Sequence, residues 1–110
     1  MSRLRDAALA AAAAAALACG APTSGRPVEQ LWAENCVRCH GADGRGNPAQ
    51  LSLDPRVDLG QSKMVAARAS GLIYQRIAWG YGTMPGFAHK LERGDLELLV
   101  DFVLRLHRES

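Results

Sequence analysis

Cysteine, histidine and aromatic residues are scarce in this chain of 110 residues, which has three, three and six of them. A zinc site needs paired ligands, yet outside one short segment only Cys19, His89 and His107 are left, none in CxxC or HxxxH spacing. Alternating β-branched runs are missing around Cys36, and with them the βαβ setting of a thioredoxin-like dithiol. Excess charge is missing too. A formal net charge of +2, with no basic stripe interleaved with aromatics, argues against nucleic acid as a partner. There is no nucleophile and base pair, carboxylate dyad or phosphate loop to support independent catalysis, and no internal repeat to divide the chain.

Apolar residues are concentrated near the N-terminus. Arg3 and Arg5 precede a stretch from Ala7 to Ala18 that is almost entirely alanine, with Leu9 and Leu17. In length and flanks it is a signal-peptide core, well short of the roughly 20 residues that a membrane-spanning helix needs. It ends in Ala16-Leu17-Ala18-Cys19-Gly20, which resembles the lipobox of bacterial lipoproteins. Ala16 and Ala18 also satisfy the A-x-A pattern of an ordinary cleavage site, and an alanine stands where such boxes usually carry leucine. An exported thiol without a disulfide partner is a liability, which favours acylation of Cys19. The expected division is a signal peptide over 1–18, a lipidated Cys19 with a flexible Gly, Ser and Pro-bearing tether over 19–26, and one domain over 27–110. Loss of 1–18 lowers the hydrophobic residues from 53 of 110 to 39 of 92 and the net charge from +2 to +1, since Arg3, Arg5 and Asp6 leave. A domain of that size is short of core.

Cys36-Val37-Arg38-Cys39-His40 supplies what is needed. Two thiols three residues apart with a histidine directly after them form the c-type haem attachment pattern. The thiols can bond the vinyl groups and the imidazole can take one axial position on the iron. With three Cys and three His in 110 residues, chance would place such a pentad about 0.002 times. The porphyrin would complete the core.

The rest reads as helices joined by long connections. Val28, Leu31 and Trp32 fall on one face of a helix over 28–35 that leads into the motif. Ser70 is placed to cap a second helix ending near Trp79, with Ile73 and Ile77 inward and Gly80 stopping it. Leu96, Leu99, Val100, Val103 and Leu106 mark a third, with Asp95 in its first turn and Arg105, His107 and Arg108 in its last. Residues 41–60 read as an irregular loop, acceptable in a compact domain because it has a porphyrin to pack on.

A second axial ligand would come from Met64, Met84, His89 or His107. Met84 stands in Gly80-Tyr81-Gly82-Thr83-Met84-Pro85-Gly86-Phe87, a loop rich in glycine and stiffened by proline, and is preferred, with His89 its rival. His107 reads as solvated and Met64 as core or crevice.

Together these features resemble a small class I c-type cytochrome over nearly all of 27–107: Trp32 four residues before the pentad, the pentad itself, Gly41-Ala42-Asp43-Gly44-Arg45-Gly46 after it, the Gly-Thr-Met-Pro loop, and Phe102 in the last helix. Leu53 to Leu59 further resembles cytochrome domains of cbb3-type oxidases. The resemblance implies an all-α fold of three to four helices around one covalent haem c, with Cys36 and Cys39 attaching it, His40 proximal and Met84 distal. It implies that Trp32 and Phe102 pack the helices near the haem. It also implies that a proline carbonyl, Pro48 or else Pro55, accepts the second ring proton of His40. Val28 departs from the family, which commonly has glycine where the first and last helices cross.

The expected function is that of an electron carrier rather than an enzyme, periplasmic or on the outer face of a bacterial membrane, either anchored by lipidated Cys19 or soluble after export. It would be a monomer that docks briefly with a redox donor and acceptor; Arg38 and Lys90 are candidates for orienting a partner, although simple solvation is the preferred reading of both. A fixed relay subunit of an oxidoreductase complex is the alternative, and a gas sensor with a displaceable Met84 belongs to a third class.

Overall fold

Helix α1, Val28–Asn35, begins where Pro27 turns its carbonyl to the amides of Gln30 and Leu31 at 3.0 and 3.1 Å. Glu29 in its first turn complements the helix dipole. Its inward face buries Leu31 and Trp32. The structure is a computed structural model that describes residues 20–109, so the expected signal peptide and Cys19 lie outside the described residues.

The chain continues through α2 (Val37–His40), α3 (Pro48–Leu51), two 3-10 turns (Pro55–Val57 and Leu59–Gln61), α4 (Lys63–Ala66), α5 (Ser70–Trp79) and α6 (Arg93–Glu109). No strand occurs among the described residues, only an isolated bridge between Tyr81 and Met84. The fold is thus all-α, with α1, α5 and α6 as its principal helices. Helix α6 carries the period expected of it. Leu96, Leu99, Val100 and Val103 are buried with Ile73 and Ile77 of α5 and Leu31 and Trp32 of α1, whereas Leu106 is only half-buried. Leu31 and Leu99 are fully enclosed, and each such side chain contributes about 1.5–3 kcal/mol through burial. The Trp32 and Phe102 rings meet with centroids 5.1 Å apart, so α1 and α6 approach closely although Val28 replaces the family's glycine. Val28 itself is half-buried against the core.

Three expectations need correction. Ala69, not Ser70, precedes the first residue of α5, and no side-chain cap bond forms there. Residues 41–60 are not structureless. Asn47, Asp54 and Asp58 each accept from the amide two residues on, at 3.0, 2.9 and 2.8 Å, and each thereby starts a short helix or turn.

The third concerns the tether, part of which is docked. Pro22 accepts from the Gly94 amide at 2.8 Å. Ser24 donates its amide and its hydroxyl to Asp95 Oδ1 at 3.1 and 3.0 Å, while Oδ2 of the same carboxylate takes the Glu92 amide at 3.1 Å. Asp95 is wholly buried, and a buried carboxylate is tolerable only when its oxygens are met in this way. Arg26 then pairs with Glu34 on α1. Residues 22–26 therefore form a strap bonded to the start of α6 and, through Arg26, to the last turn of α1.

Gly94 lies so close beneath the strap that a Cβ there would stand 2.5 Å from the Pro22 carbonyl oxygen and from Thr23 Cγ2. Glycine to alanine inside a helix is ordinarily a gain of up to about 1 kcal/mol. Gly94→Ala is expected to lower the melting temperature instead, because displacing the strap leaves the Asp95 carboxylate short of partners at a cost of about 1–3 kcal/mol. A raised melting temperature would show that the strap contributes less than the propensity gain.

Candidate haem site

One helical turn positions the attachment residues. The Cys36 amide bonds the Trp32 carbonyl at 2.9 Å and the His40 amide bonds the Cys36 carbonyl at 2.9 Å, so the helical path runs nearly unbroken from α1 into α2. Cys36, Cys39 and His40, at i, i+3 and i+4, consequently share one face. All three are half-buried. After Gly41 the chain doubles back, and the carbonyls of Cys39 and His40 accept from Asn47 and Gly46 at 2.9 and 2.7 Å.

His40 is oriented from both sides. Its ring lies 6.1 Å from that of Trp32, at an interplanar angle of 29°. Its Nδ1 lies 2.8 Å from the carbonyl oxygen of Val57. The acceptor is therefore neither Pro48, whose carbonyl takes the Ser52 hydroxyl at 3.3 Å, nor Pro55, whose carbonyl takes the Asp58 amide at 3.2 Å. The physical reason is that a main-chain carbonyl needs no particular side chain. What it needs is a backbone direction, and the Asp54 cap sets it by starting the 3-10 turn on which Val57 sits. With Nδ1 as donor, Nε2 keeps its lone pair for a metal.

Burial pushes the Cys36 thiol up to about 12, with nearby Lys90 acting in the opposite direction and Cys39 in the same one. A dithiol redox centre needs a readily formed thiolate, and Cys36 is shifted away from that. Among the described residues no group of three or more His, Cys, Asp and Glu could hold a metal ion.

Met84 is half-buried against the core on a loop with internal order. The Tyr81 amide donates to the Met84 carbonyl at 3.1 Å, and the Met84 amide to the Tyr81 carbonyl at 3.0 Å. Phe87 and Ala88 then bond the Ile77 and Ala78 carbonyls at 2.9 and 3.0 Å, which fastens the loop to α5. Gly80, with φ +79°, turns the chain out of α5, where a Cβ would stand 2.5 Å from the Met84 carbonyl oxygen. His89, the rival ligand, is exposed. Met64 is half-buried, and His107 is half-buried beside Asp43, Leu59 and Leu106 rather than solvated. A groove lined by Ser70, Gly71, Tyr74, Arg93, Glu97, Val100 and Asp101 contains none of these candidates.

The residues present fit a porphyrin. Cys36, Val37, Leu59, Met64 and Met84 are packed against the core while only partly covered, and the thiol pair and imidazole are the donors that c-type attachment uses. Residues 23–103 match the family model described as cytochrome c oxidase, cbb3-type, subunit III. The chain belongs to this family.

No curated protein matches the chain. Among solved structures, the KustC0563 c-type cytochrome superposes with a TM-score of 0.64 at 24% identity, covering 74% of this chain and 98% of that one, which supports the fold. As a cytochrome of this family, the protein carries covalently bound haem c and serves in electron transfer. Domains of this kind are generally not catalytic and in bacteria are typically extracytoplasmic. Among the described residues no helix is long and apolar enough to cross a membrane.

Asp54, which caps the turn that serves His40, also holds Arg56, whose Nε and Nη2 both lie 2.9 Å from its oxygens. These bonds keep its carboxyl below the ordinary aspartate value. A depressed carboxylate stabilises the fold above its unfolded pKa, about 3.9, and that contribution is lost as pH falls through the folded value. In a carboxyl-resolved NMR titration Asp54 is expected to titrate below that value, and Arg56→Gln to move it upward. An unmoved Asp54 in the variant would sever the turn's cap from its arginine.

Proposed function

We propose that this cytochrome is an electron carrier with a single haem, His40 and Met84 as axial ligands, and Cys36 and Cys39 as attachment points. The observation that carries the ligand assignment is the Met84 loop: Met84 is half-buried and packed against the core, whereas His89 is exposed. The haem supplies one-electron exchange between ferric and ferrous iron. With His40 and Met84 both committed, no substrate needs to bind the metal, and a thioether ligand favours the ferrous state. Trp32 and the Val57 carbonyl hold the imidazole plane in place, so little has to move when charge changes. The half-buried apolar side chains would help keep water from a bound porphyrin.

Export by the N-terminal segment and acylation of Cys19 would place the carrier in the periplasm or on the outer face of the membrane. Its partners would be a redox donor and a redox acceptor. Arg38 between the cysteines and Lys90, close enough to act on Cys36, would attract acidic partners to the thioether edge, in brief and salt-sensitive encounters of a monomer. The match to an oxidase-subunit family supports a second reading, a fixed relay in a complex, which would appear as a partner that stays bound through purification.

Purified, haem-loaded protein is expected to give a low-spin, six-coordinate ferrous spectrum that carbon monoxide changes only slowly. Met84→Ala should turn it high-spin and quick to bind the gas, while His89→Ala should leave it unchanged. A wild-type protein that is high-spin and takes the gas at once would replace the carrier by a sensor.

A further inference from the structure

Tyr81 is 58% exposed, so burial does not hold its ring in place. Two guanidinium groups do. Arg76 Cζ lies 3.7 Å from the ring centroid and Arg56 Cζ lies 5.7 Å from it, both within the range of a cation–π contact. Each arginine belongs to a part of the site already described. Arg76 is on α5, one turn before its end, and its carbonyl accepts the Gly80 amide at 2.9 Å. Arg56 directly precedes Val57, whose carbonyl meets His40, and the ion pair with Asp54 fixes its guanidinium. Two cations drawn to one ring would repel each other, and Asp54 offsets one of the charges. Tyr81 in turn exchanges both main-chain hydrogen bonds with Met84.

We propose that the Arg56–Tyr81–Arg76 stack is a clamp that positions Met84. It joins the turn that orients the proximal histidine to the loop that presents the distal methionine. The clamp rests on Met84 being the axial ligand. Tyr81 is a positioning residue, since it acts through the paired backbone and not on the haem iron. Removing either face of the stack should let the loop swing open more often, which exposes the iron to added ligands.

The test is the limiting rate at which saturating carbon monoxide displaces the sixth ligand from the ferrous, haem-loaded protein, with melting temperatures recorded alongside. Tyr81→Leu and Arg76→Gln are each expected to raise that rate roughly fivefold, whereas Tyr81→Phe, which keeps an aromatic face, should stay within about twofold of wild type. The Phe rescue separates the stack from general packing at this position. If Tyr81→Leu does not load haem, Arg76→Gln decides the matter, because it leaves the loop's own sequence intact. Unchanged rates in Arg76→Gln, with a six-coordinate wild type, would overturn the clamp. A wild type that binds the gas without waiting for a ligand to leave would overturn the Met84 assignment, and the clamp with it.

Discussion

The hydrogen bond between His40 Nδ1 and the Val57 carbonyl is the constraint around which the rest of the chain is arranged. It joins the end of one helix to a point seventeen residues further on, across a segment with little core of its own. Closing such a loop costs entropy, which the local bonds offset in steps. The Asn47, Asp54 and Asp58 caps start successive short turns, and the Gly44 carbonyl takes the Leu59 amide at 2.8 Å. By the time Val57 reaches the imidazole, most of the backbone freedom between them is already spent.

The Met84 loop is built differently. It depends on tight approach between backbone segments: Gly86 leaves only 2.6 Å between a would-be Cβ and the Trp79 carbonyl carbon, so no side chain fits there. The His40 side is held by polar caps and the Met84 loop by steric closeness to α5. If His40 and Met84 are the ligand pair, as proposed, this division would keep the imidazole rigid and let the loop retain the thioether.

Much of this was legible in the residues. The pentad needs no fold to be recognised, and the apolar spacing placed α1 at 28–35 and α5 up to Trp79, where the structure has them. The missed features have different causes. Val57 could not be found because its contribution is a carbonyl that every residue possesses. The order in 41–60 did leave a signal, in Asn47-Pro48 and Asp54-Pro55, an N-cap followed by proline at the first helical position. The strap left less of one. Its composition is that of a linker, and its partner Asp95 is 71 residues away from Ser24, where it looked like a simple complement to the helix dipole. Asp95 serves that purpose and a second one besides.

The strap also alters how far the domain could travel. With the proposed acyl group on Cys19, only Gly20 and Ala21 separate the lipid attachment from Pro22, which is already bonded to Gly94. At about 3.5 Å per residue the free leash is on the order of 10 Å, where an undocked segment up to Pro27 would allow about 28 Å. The volume the domain can search shrinks roughly as the cube of that length, or about twentyfold. Such a cytochrome would meet its partners by lateral diffusion in the plane of the bilayer, at a high local concentration and from a restricted set of approaches, rather than by reaching for them through the aqueous space.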